Sequence, residues 1–68
     1  LPFAEIVAVM RYQAALDGRV KASFGSIPGG IEAVVVTASG AYFPARWRVE
    51  HLRRRWAFWR QLHGSVSH

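Results

Sequence analysis

The sequence predicts a small single α+β domain: a helix, a β-hairpin with room for a short third strand, and a basic C-terminal helix. Three observations predict it. Apolar residues recur at helical spacing near the start, a β-branched run occupies the middle, and arginines interleave with tryptophans over the last third. At 68 residues the chain has room for one domain, spanning 1–68, with 64–68 read as a frayed tail. A core of that size supplies only about 3 to 5 kcal/mol. With no cysteine to form a disulfide or a thiolate metal site, burial against a partner is the expected supplement.

The first element rests on Phe3, Ile6, Val7, Met10 and Ala14, spaced as one face of a helix. Pro2 suits its first position and Gly18 the left-handed residue beyond its end, so a helix is expected over residues 2–17. Val20, Ala22 and Phe24 then alternate with Arg19, Lys21 and Ser23, the period of a half-buried strand. Ser26-Ile27-Pro28-Gly29-Gly30 reads as a turn, with Pro28 fixing φ and Gly29 taking the positive φ of a type II turn. Residues 31–38 carry Val34, Val35 and Val36 in a nearly continuous apolar run, which predicts a strand covered on both sides. After the break at Ala38-Ser39-Gly40, Ala41-Tyr42-Phe43 is either a short third strand or the approach to the last helix. Pro44 stands where that helix can begin.

The last helix is expected over residues 45–63, with Gly64 as its stop. Ala45, Val49, Leu52, Trp56, Trp59 and His63 fall within an arc of about 80°, which predicts a seam against the domain's own core. Trp47, His51, Phe58 and Leu62 fall on a second arc, about 60° wide and nearly opposite. One small core cannot cover both, and exposed apolar patches mark interaction sites. The second arc is therefore the expected protein interface.

Charge is confined in the same way. Arg46, Arg48, Arg53, Arg54, Arg55 and Arg60 face only Glu50 within this segment, which accounts for the whole net charge of +5, while cations and carboxylates balance elsewhere. Glu50 is positioned to pair with Arg46 or Arg54 at four-residue spacing. Planar guanidiniums grip phosphates and carboxylates in a fork and stack on aromatic rings. Arg46, Arg53, Arg54 and Arg60 are the expected contacts to nucleic acid or an acidic protein surface, whereas Arg48 and Arg55 fall between the two apolar arcs.

Other function classes find less in the residues. Glu50-His51 belongs to no HExxH pattern, since arginine follows at 54 and 55, so no zinc site or other metal site is expected. No serine sits in a nucleophile elbow, and the glycine-rich turn at 26–30 lacks the following helix and the lysine of a phosphate cradle. No enzyme and no cofactor is expected. No apolar stretch approaches the roughly 18 residues of a transmembrane helix. The absence of a basic leader and of cysteine suggests a cytoplasmic setting.

In its order of helix, strands and helix, the chain resembles double-stranded RNA-binding domains, though the lysine pair and alanine-rich start of that family's last helix are missing. The same order, at this length, also resembles the small head-to-tail joining proteins of tailed phages. The functional expectation is a non-enzymatic protein binding an acidic macromolecule, foremost nucleic acid, through its Arg/Trp-rich helix. The alternative is a structural subunit of a homo-oligomer or larger assembly. A weaker alternative lays the helix on an anionic membrane surface.

Overall fold

A computed structural model describes residues 3–64 of the chain. The fold is a small α+β domain, with one helix in the N-terminal half, a three-stranded antiparallel sheet and a C-terminal helix. A 3-10 turn, Phe3–Glu5, leads into β1 (Ile6–Arg11). A second turn, Ala14–Leu16, leads into α1 (Asp17–Phe24), followed by β2 (Ala33–Thr37), β3 (Tyr42–Ala45) and α2 (Val49–Gly64). The sheet order is β1-β2-β3. The class matches the expectation, but the first helix and the first strand exchange places. Both family likenesses rest on element order, and the observed order puts a strand ahead of the first helix.

The helix expected over residues 2–17 is replaced by β1, because Ile6-Val7-Ala8-Val9-Met10 is a continuous apolar run with three β-branched residues, which pairs along β2 and buries Val9. Val9 pairs with Val35 and Met10 with Val34. The register shifts between Ile6 and Ala8, a bulge that turns Val7 outward while Ile6 stays against the core. Residues 20–24, expected as a strand, lie instead in α1, where Val20 is the only buried side chain. Tyr12 fastens the start of α1 by donating to Asp17 Oδ1 at 2.6 Å. That helix ends at Gly25, not Gly18: with φ 94°, Gly25 takes the left-handed cap position and donates to the Lys21 carbonyl at 2.8 Å. In the turn that follows, the positive φ falls on Gly30 rather than Gly29.

The hairpin forms between β2 and β3, so the optional third strand is real. Gly40 donates to the Thr37 carbonyl at 2.9 Å and Thr37 to that of Ala41 at 3.0 Å, closing a three-residue loop with Gly40 left-handed at φ 87°. Thr37, the buried polar residue of β2, shares a 2.9 Å hydrogen bond between its hydroxyl and that of Ser39. Pro44 lies in β3 and does not open the last helix. It is tolerated because β3 is an edge strand, where a missing N–H breaks no ladder bond. Tyr42, two residues earlier, turns its N–H outward to Ser23 Oγ of α1 at 2.9 Å.

Paired residues share a face of the sheet, so the two faces can be assigned. Val9, Ala33 and Val35 form one cluster with Val49 of α2, and Ile6, Ala45, Leu52 and Trp56 pack around it. The alternate positions of β2 point the other way. There Val34 is fully buried, as is Val20 of α1, which packs over β3. The sheet is thus sandwiched between the two helices, which explains why all five residues of β2 are buried, as its continuous apolar run predicts.

Candidate binding face on the C-terminal helix

The face begins with a mismatch of length. At 1.5 Å per residue, α2 is about 24 Å long, whereas four to six residues of strand reach roughly 13–20 Å. Only its first two turns can lie on the sheet, and Val49, Leu52 and Trp56 are its side chains in the core. Beyond them Trp59 is half-buried, its ring 6.1 Å from that of Phe3, while Phe58, Leu62 and His63 are exposed. His63, placed by its spacing on the core seam, stacks instead on Trp59 at 4.5 Å.

The helix starts at Val49, four residues later than expected, because Ala45 completes β3 and the Arg48 carbonyl accepts its first bond, from Leu52, at 3.0 Å. Trp47 therefore precedes the helix and stacks on His51 at 4.7 Å. Glu50 pairs with neither Arg46 nor Arg54. Its Oε1 lies 3.2 Å from the Arg11 guanidinium at the end of β1, because α2 crosses that strand's end. The Glu50 pKa is held below its ordinary value, first by a hydrogen bond to its own backbone amide and then by Arg11 and Arg48, with partial desolvation opposing them.

The structure sorts the arginines by what each touches. Arg46 Nε donates to the Gly29 carbonyl at 3.1 Å, tying the approach to α2 to the turn before β2. Arg53 Nε donates to the Val9 carbonyl at 3.0 Å, capping a backbone group of edge strand β1. Arg60 lies over the Trp56 ring, 5.1 Å from its centroid. These three help hold the fold, while each remains an exposed residue. Among the described residues, Arg48, Arg54 and Arg55 form no side-chain hydrogen bond or ion pair.

Arg54 and Arg55 flank a cleft of about 470 Å³ whose other walls are Phe3, Phe58, Trp59 and Leu62. A smaller cleft of about 200 Å³, lined by Phe3, Trp47, Leu52 and Arg55, adjoins it through the shared Phe3 and Arg55. Trp47, Phe58 and Leu62 are 54%, 62% and 55% exposed. They are therefore joined not as one stripe along a helix but through Phe3 and Arg55. Neither joining residue stands out in the sequence as part of a binding face. Phe3 looks like core of a helix that does not form, whereas the position of Arg55 between the two apolar arcs was the available signal.

His51 is half-buried between Trp47 and the body of the domain, and its Nε2 and the Trp56 Nε1 are shielded from solvent without a hydrogen-bonding partner. Among the described residues no three His, Asp or Glu side chains gather closely enough to hold a metal ion. No helix among them is long and apolar enough to cross a membrane. No carboxylate among the described residues lines either cleft, so their apolar walls stand beside positive charge without a described counterion. No protein-family model, curated protein or solved structure matches the chain.

Proposed function

We propose that this is a non-enzymatic binding protein whose α2 face takes nucleic acid, with Arg54 and Arg55 as phosphate contacts and the outer nitrogens of Arg46, Arg53 and Arg60 as auxiliary ones. The observation that carries this reading is the pairing of two guanidiniums, free of hydrogen-bond and ion-pair partners among the described residues, with exposed Phe58 and Leu62 in one cleft. A planar cation beside an aromatic wall suits a ligand that is itself anionic and planar. With two or three phosphates neutralised, affinity for a single strand falls about tenfold between 50 and 200 mM salt. Fluorescence anisotropy with a labelled oligonucleotide tests this. Loss of binding in the Arg54→Gln/Arg55→Gln double variant is the expected result; no binding at low salt, or affinity indifferent to salt, overturns the reading.

A second reading, self-assembly through Trp47, His51, Phe58 and Leu62, draws on the exposure of the three large apolar side chains. Trp and Arg are enriched at binding hot spots. It ranks second because a two-fold contact across the larger cleft sets Arg54 and Arg55 of one copy against those of the other, with no carboxylate among the described lining residues to offset them. Light scattering decides it: a monomer whose size is unchanged by Trp47→Ala removes this reading.

A further inference from the structure

We infer that the nucleic acid is single-stranded, and that one unstacked base enters the cleft between Phe58 and the Phe3–Trp59 pair. This rests on the nucleic-acid reading above and goes beyond it by naming the form recognised. The argument begins with the walls. Four of the six lining residues, Phe3, Phe58, Trp59 and Leu62, offer only apolar faces, apart from one indole N–H. Such walls gain free energy by covering apolar surface, and their three rings gain a further increment when the partner is itself a flat ring.

A duplex hides that surface. Its bases are stacked on one another and present only their edges in the grooves, where polar side chains read donors and acceptors. Hydrocarbon walls by themselves can read neither edges nor phosphates. A single strand exposes base faces and phosphates together, and aromatic platforms beside cationic side chains are the physical means of holding both. The cleft, at about 470 Å³, is an open groove whose volume lies within the range of small-ligand sites, about 300–1,000 Å³.

The charge pattern narrows the occupant further. Because the described lining holds two arginines and no carboxylate, it disfavours a second copy of this basic chain and favours an anionic ligand. An acidic peptide satisfies the guanidiniums as well. It offers the three rings of Phe3, Phe58 and Trp59 no planar partner of its own unless it is aromatic. The phosphate-bearing strand matches both components of the site. The ring of Phe58, 62% exposed, is the platform least committed to the fold.

The test compares a twelve-nucleotide mixed-sequence single strand, its duplex and poly-glutamate, each at 50 mM salt, by anisotropy and by tryptophan fluorescence. The single strand is expected to bind at least tenfold tighter than the duplex and to quench fluorescence, since Trp59 lines the cleft. Phe58→Ala, exposed enough to leave the unfolding midpoint near that of the parent, is expected to weaken single-strand binding about tenfold and duplex binding not at all. Equal or tighter duplex binding overturns this inference and leaves the nucleic-acid reading standing. So does single-strand binding indifferent to Phe58→Ala. Poly-glutamate binding as tightly as the single strand overturns it in favour of an acidic protein partner. Failure of both nucleic acids to bind removes the broader reading too.

Discussion

Replacing Val20 by Ala tests the least expected feature of the fold, the helix that stands where alternation predicts a strand. Val20 is 0% exposed and is the only buried side chain of α1. Removing two carbon groups costs about 1.6 kcal/mol in transfer free energy. The cavity left in a sandwich that cannot fully collapse raises this toward about 2.5 kcal/mol. Alanine's better helix propensity returns about 0.5 kcal/mol, leaving a net loss of about 2 kcal/mol. For a domain of this size that lowers Tm by about 8–16 °C. The comparison variant is Phe24→Ala. Phe24 is 50% exposed in the last turn of α1, so its loss costs less than about 1 kcal/mol despite the larger side chain. On a strand whose inward face carried both residues, the order would reverse. Urea unfolding followed by tryptophan fluorescence measures both midpoints. A larger loss for Phe24→Ala than for Val20→Ala refutes the assignment of α1 and the packing built on it.

Other outcomes follow from particular contacts. Arg53→Met retains most of the aliphatic stem but leaves the Val9 carbonyl without its partner, costing about 1 kcal/mol and speeding amide exchange in β1. His51→Phe keeps the stack on Trp47 and removes a shielded, unpaired ring nitrogen; it raises stability by about 1 kcal/mol, seen as a higher unfolding midpoint. The Tyr12 pKa is raised above 10.0, first by its hydrogen bond to Asp17, then by partial burial and the carboxylate charge. The folded state therefore favours the protonated phenol. Its contribution is complete below the unfolded pKa and is lost as pH rises through the folded one, so Tyr12→Phe flattens the alkaline limb of a stability profile. Glu50 has the opposite sign. Its depressed pKa gives a contribution present above the unfolded value and lost as pH falls through the folded one, so Glu50→Gln flattens the acid limb.

The two ends of the chain differed in how plainly they could be read. The C-terminal helix was legible because sixteen residues give its pattern several turns in which to repeat, and Val49, Leu52 and Trp56 recur at the spacing that reaches the core. The central strand was legible because Val34-Val35-Val36 has few other uses than burial from both sides. The first third misled for a physical reason. Ile6-Val7-Ala8-Val9-Met10 satisfies helical spacing and continuous burial equally, and so short a run does not choose between them. The helix at Asp17–Phe24 buries a single side chain, so no periodicity could announce it. At the binding face, which residues are exposed was foreseen for Trp47, Phe58 and Leu62. The division of labour among the arginines was not, because the partners of Arg46 and Arg53 are backbone carbonyls brought near only by the fold.

The closed edges of the sheet have a consequence for the chain at high concentration. Ala33-Val34-Val35-Val36-Thr37 is the kind of uncharged, β-branched segment that stacks into amyloid when its backbone is free to pair with copies of itself. Here it is the middle strand, shielded on each side by a neighbour that offers poor terms for growth. On the β1 side the Arg53 guanidinium occupies the Val9 carbonyl, and on the β3 side Pro44 has no N–H to give while Ser23 occupies that of Tyr42. One arginine of the basic helix therefore guards this β-branched segment from outside the sheet, so loss of that side chain is expected to shorten the lag before thioflavin-positive fibres appear.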